Sequence, residues 1–222
     1  MIQKNQNAIT NCTAAALFLG FSGVASAQGE FSVGVFSDYI DNGESRSGNN
    51  AVVQGAFEHS HHTGFFAGTA ISNLSNDSGD EFHGHEIVPF VGYGFAAGPV
   101  DLELAYEYIA TPDVSGATYE GEAILGASVG PVSAEVGYIT NAHDRDAEGS
   151  VVYAIGAGHE FMPGVSVDGA VGYDDPDDES GTAFWELGMS REMDQGTISL
   201  TYASRDESDA QNLFVAGFST SF

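Results

Sequence analysis

The chain is expected to fold as a single antiparallel, up-and-down transmembrane β-barrel of about twelve strands. Three observations lead there. Apolar and polar or small residues alternate with a period of two along most of the sequence, and no long stretch has helical period. The gaps between alternating stretches are short and long in turn. The carboxylates within those stretches collect on one face, which a water-filled lumen accepts and a dry core does not.

The first element precedes the barrel. Residues 1–27 contain Lys4 and no acid, and an apolar run from about Ala14 to Val24 leads into Ala25-Ser26-Ala27 before Gln28. This is the pattern of a secretory signal peptide, and the run is short of the about 20 apolar residues that a spanning helix needs. Cys12, the single cysteine, lies inside this leader, so the mature barrel domain, 28–222, is expected to hold no disulfide. Loss of Lys4 leaves Arg46, Arg145, Arg191 and Arg205 against 32 acids, a net charge of −28. Such a surface repels nucleic acid and attracts cations.

Twelve alternating segments follow, at 30–39, 51–59, 64–73, 84–95, 99–110, 118–129, 131–140, 150–161, 164–173, 182–192, 196–204 and 212–222. Their lengths suit strands that cross a bilayer at a tilt, about 9–11 residues each. In VDLELAYEY, Val100, Leu102, Leu104, Tyr106 and Tyr108 share one face, and Asp101, Glu103, Ala105 and Glu107 share the other. TISLTY and PGVSVDGAVGY divide in the same way. Short connections (SHHT, AAGP, GP, MPG, DQG) alternate with long charged ones (IDNGESRSGNN, LSNDSGDEF, TPDVSGAT, NAHDRDAEG, DDPDDESG, RDESDAQ), which places turns at one rim and loops at the other.

Charge decides which face meets lipid. The polar faces carry Glu58, Glu86, Asp101, Glu103, Glu107, Glu120, Glu122, Glu135, Glu160, Asp168 and Glu186, with no inward Arg or Lys expected. These acids are the candidate lumen lining. The opposite faces are apolar, and aromatics near the segment ends suit two interfacial girdles: Tyr39, Phe57, Phe65, Phe95, Tyr108, Tyr119, Tyr138, Phe161, Tyr173, Trp185, Tyr202 and Phe222. In the last strand Phe214, Ala216, Phe218, Thr220 and Phe222 form the lipid stripe. A terminal Phe behind alternating apolar residues also resembles the signal by which outer-membrane assembly machinery recognises its clients, which implies that role for Phe218 and Phe222.

Residues 36–74 carry Ser37-Asp38-Tyr39, Gly43 followed by Ser45, Gln54-Gly55 with Phe57, Gly64-Phe65-Phe66-Ala67-Gly68, and Ser72-Asn73. With these the chain resembles the proteobacterial Gcw_chp family, loosely through FVGYG and the later hairpins to the terminal strand. The resemblance implies an outer-membrane barrel and brings no catalytic residues. Where the family usually has an aromatic and an arginine after the SDY, this chain has Ile40-Asp41-Asn42.

Other chemistry is weakly marked. His59 and His61, and His83 and His85, each lie two apart and could hold Zn or Cu through imidazole. Two ligands fall short of the three or four that a stable site uses, and the pairs are expected at opposite rims, so no metal is expected. The acids Asp174, Asp175, Asp177, Asp178 and Glu179, and the run 76–81, do not have EF-hand spacing. His143 beside Asp144 is too little for a triad, and the Gly-rich runs lack a following helix, so neither catalysis nor a cofactor is expected. The expected function is a narrow, cation-preferring channel for small solutes or cations in outer-membrane lipid. The alternative is a non-conducting barrel that binds a partner or ligand through its acidic loops.

Overall fold

Each alternating segment pairs with the next along the chain, and the first pairs with the last. The computed structural model describes residues 28–74, 84–112, 118–177 and 180–222. The strands are β1 (Gln28–Phe36), the short β2 (Ile40–Asp41) and β3 (Glu44–Ser45), then β4 (Val52–Ser60), β5 (Phe65–Leu74), β6 (Gly84–Ala97) and β7 (Val100–Thr111). They continue as β8 (Thr118–Val129), β9 (Val132–Ala142), β10 (Val151–Met162), β11 (Val165–Asp175), β12 (Thr182–Met193), β13 (Gly196–Arg205) and β14 (Leu213–Ser221). All but β2 and β3 form one closed antiparallel barrel of twelve strands, in the order of the chain. Closure satisfies the backbone of every strand, the condition for crossing lipid without helices. At the seam Phe36 stands opposite Gly217 and Ser32 opposite Ser221. Beyond the ladder the Phe222 amide donates to the Phe31 carbonyl at 2.8 Å, so the last residue seals the ring.

The short connections are tight for a stereochemical reason. In the two Gly-Pro turns, Gly98 (φ +71°) and Gly130 (φ +58°) supply the left-handed conformation. Each following proline is preset near −65°, and together they close a two-residue hairpin.

The outer surface is apolar. Leu104, Ile155, Val171, Leu187 and Phe214 are all more than half exposed. A belt of this extent has lipid as its natural solvent. Aromatic pairs edge it at both ends: Phe31 with Phe57 at 4.5 Å and Phe65 with Tyr93 at 4.7 Å near the turns, Tyr108 with Tyr119 at 5.9 Å and Tyr153 with Tyr173 at 5.6 Å near the loops. Tyr39 is an exception to the expected girdle. β1 ends at Phe36 rather than at 39, and Tyr39 is buried at the loop-side mouth.

The interior is asymmetric. On β4–β8 apolar side chains pack inward and are buried: Ala56, Ala70 and Val88 form one cluster, and Phe66, Ala105 and Ile124 another, with Phe90 against it. Inward glycines let the rings lie flat. A Cβ on Gly92 would come within 2.1 Å of Phe66. Across the barrel, β10 and β11 turn Ala154, Gly156, Gly158, Ala170 and Gly172 inward, all part-exposed, so water reaches that wall.

Candidate functional site

The site begins with the long connection from β1 to β4, which turns into the mouth instead of out to solvent. Asn42 (φ +48°) and Gly43 (φ +76°) close a two-residue turn between β2 and β3, the Asn-Gly hairpin signal. Asp38 organises the base of this strap. Its Oδ1 accepts from the Tyr39 amide at 2.7 Å and from the hydroxyls of Ser45 and Ser47, both at 2.6 Å. Ile40 packs on Ala203, Leu213 and Val215 of β13 and β14. Gly43 lies so close to the wall that a Cβ there would meet the Ser204 carbonyl at 2.5 Å, and beside it Arg205 donates to Glu44 at 2.8 Å.

The strap is held on the other side too. Tyr39 packs with Val52 and Leu74, and its hydroxyl donates to Oε1 of Glu86 on β6. Arg46 donates to Oε2 of the same carboxylate at 3.3 Å. Five strand steps separate β6 from β13 in a ring of twelve, so the anchors stand on nearly opposite walls and the strap bridges the mouth. Burial, followed by the Glu86 and Asp41 carboxylates, pushes the Tyr39 phenol well above its usual range, so it remains a donor. For Arg46, burial opposes the charge, but Asp41 and Glu86 outweigh it and hold the guanidinium charged.

Between the strap and the β6–β9 wall lies a cavity of about 340 Å³. The strap contributes Tyr39, Asp41 and Arg46; the wall contributes Glu86, Val88, Ile109, Thr111 and Glu120; the loop after β9 contributes His143 and Asp144.

Below the mouth run the acids. Glu107 stands directly opposite Glu122 on the β7–β8 ladder, and Glu103 and Glu135 flank Gly126 from either side. Glu103, Glu107 and Glu122 are buried, and Glu103 Oε1 and Glu107 Oε2 meet no donor among the described residues. Gly137 makes room for Glu122, as Gly188 does for Asp168. Glu186 is part-buried, with Oε1 meeting no donor among the described residues. Asp101 and Glu160 lie exposed at the turn rim, where Glu160 accepts from the Gly164 amide at 2.8 Å, and Glu58 accepts from Ser60 at 2.6 Å.

Across this architecture, strap and barrel alike, the family profile described as "Bacterial protein of unknown function (Gcw_chp)" matches residues 23–220. The chain belongs to the Gcw_chp family. No curated protein matches it. This Gcw_chp barrel shares its fold with the KdgM porin, at a TM-score of 0.57 and 10% identity over 87% of this chain and 98% of that one. Weaker likenesses reach outer membrane phospholipase A from Escherichia coli (TM-score 0.47, 14% identity, 87% of this chain and 95% of that). They also reach a porin refined at high resolution (TM-score 0.41, 18% identity, 83% and 62%). The KdgM likeness is one of fold, a closed antiparallel β-barrel.

Several placements in the Gcw_chp barrel depart from the sequence reading. Inward cations exist: Arg46 enters through the strap, and Arg205 faces inward opposite Phe184 at the loop rim. Nothing near Arg46 in the sequence marks it as inward, because its partner Glu86 is 40 residues away. Glu30 is a further inward acid, opposite Glu58. It stands at the first position of the expected segment 30–39, where no alternation precedes it to mark its face. His59 lies on the outward face of β4, and His61 falls in the turn, its ring tilted against that of His62 with centroids 4.1 Å apart. His85 is on the outward face of β6 beside Asn73, and His83 lies outside the described residues, as do Asp178, Glu179 and 76–81. Among the described residues no three His, Cys, Asp or Glu side chains are arranged to hold a metal ion.

Proposed function

We propose that this barrel is a narrow, cation-preferring outer-membrane channel for small solutes, exported by a leader cleaved before Gln28 and assembled through the Phe218–Phe222 terminus. One observation carries the reading. The acids of β7–β9 face inward with no cation among them, and both inward guanidinium groups are already paired at the mouth, Arg46 with Glu86 and Arg205 with Glu44. An uncompensated column of carboxylates favours cations over anions along any aqueous path. The part-exposed Gly and Ala positions of β10 and β11 make that wall the less filled side, which supports a path along it. The role is transport, with recognition and no bond-making.

The test is current through planar bilayers. The wild-type barrel is expected to pass K⁺ in preference to Cl⁻. Changing Glu103, Glu107, Glu120 and Glu122 together to Gln should move the permeability ratio toward unity, most at low salt where screening is weakest. Lowering the pH until these carboxylates are protonated should do the same. Conduction with an unchanged ratio in the variant removes these residues from the path. A second reading has its own support. The filled interior of β4–β8 narrows the waist, and a barrel that passes no current under any condition is one that binds at its acidic mouth.

A further inference from the structure

We propose that the cavity between the strap and the β6–β9 wall recognises a small zwitterion, taking the ligand's carboxylate on Arg46 and its ammonium on Glu120 and Asp41. The inference rests on the channel reading for its purpose, because the cavity lies where an entering solute would pass. Its physical basis is separate.

The first argument is spare capacity. A guanidinium carries five N–H donors. Among the described residues Arg46 gives one hydrogen bond, to Glu86, and its side chain is 43% exposed. Both oxygens of Glu86 are engaged, by Tyr39 and Arg46, so that carboxylate is not free to hold a ligand cation. Glu120 lines the cavity, and Asp41 Oδ1 meets no donor among the described residues. Among the described residues the cavity thus has spare donors on the strap at Arg46, a spare acceptor near them at Asp41, and a further carboxylate on the wall at Glu120.

The second argument is charge complementarity. A simple anion attracted to Arg46 would also face Asp41, Glu120 and Asp144. A simple cation would face Arg46. A bare metal ion lacks three converging ligands among the described residues. A dipolar molecule meets both signs favourably. The floor suits its middle: Val88 and Ile109 are apolar and would cover a short aliphatic spacer. The volume is near the lower end of small-molecule pockets, about 300–1,000 Å³, which sets the size at that of an amino acid.

The experiment is calorimetric titration of the full mature protein in detergent with γ-aminobutyrate, butylamine and butyrate, three ligands of similar length that carry both charges, the cation alone or the anion alone. γ-Aminobutyrate should bind about tenfold or more tighter than either single-charge analogue, the difference one charge-assisted contact makes. Arg46→Gln should reduce its affinity to that of butylamine, and Glu120→Gln to that of butyrate, with each variant first shown to be folded by heat-modifiable migration. Butylamine binding as tightly as γ-aminobutyrate would overturn the proposal, as would unchanged affinity in both variants or no binding of γ-aminobutyrate at all. Binding without bilayer current upholds the site and removes the channel; current without γ-aminobutyrate binding does the reverse.

Discussion

At the level of single residues, the interior is built from exchanges of volume between neighbouring strands. Gly137 shows the exchange most sharply. A Cβ at this position would come within 1.7 Å of Glu122 Oε1. Glu122 is buried, and Glu107 stands opposite it on the other side, so its carboxylate has little room to withdraw. Gly137→Ala should therefore destabilise the barrel by about 1–3 kcal/mol, the usual cost of overpacking. The penalty should fall sharply in a Glu122→Ala background, where the colliding atoms are gone. Urea midpoints in lipid vesicles for the two single variants and the double variant measure the coupling. An equal loss from Gly137→Ala in both backgrounds would show that the glycine serves the backbone and not its neighbour.

At the level of elements, strands and strap behave differently toward pH and toward prediction. The strap depends on a neutral phenol donating to a carboxylate. Burial first, then Glu86 and Asp41, raise the Tyr39 pKa in the folded state, so above about pH 10 the folded chain holds a proton that the unfolded chain releases. The contribution is complete below that pH and declines as pH rises through the folded value. Tyr39→Phe removes this part of the dependence. The drop in urea midpoint between pH 8 and pH 11 should be smaller in the variant than in the wild type, and an identical drop would detach Tyr39 from the linkage. The strands were legible because each carries its own evidence: VDLELAYEY declares both faces within nine residues, and β7 occupies Val100–Thr111 with those faces as expected. The strap was not legible, because its burial is created by the barrel it enters. Arg46 and Glu44 read as loop charges until closure brings Glu86 and Arg205 to them. Asn42-Gly43 was the one local sign that the connection has structure of its own.

At the level of the whole molecule, an apolar exterior and a carboxylate interior amount to a protein inverted relative to a soluble one. The protein should be recovered with the outer membrane, with Gln28 as its first residue, and should migrate faster on gels before heating than after. Recovery as a detergent-free periplasmic monomer would contradict the lipid assignment. The bridged mouth carries one more implication, in time rather than in space. Its two clasps sit at Glu86, early in the chain, and at Arg205, near its end, while the strap itself lies before both. The strap reaches Glu86 across 40 residues, but the Arg205 clasp must reach across 161. Contacts that span so much sequence form late. The Arg205 side of the entrance is thus expected to take shape after the Glu86 side, and a chain that ends before β13 would be left clasped on one wall alone.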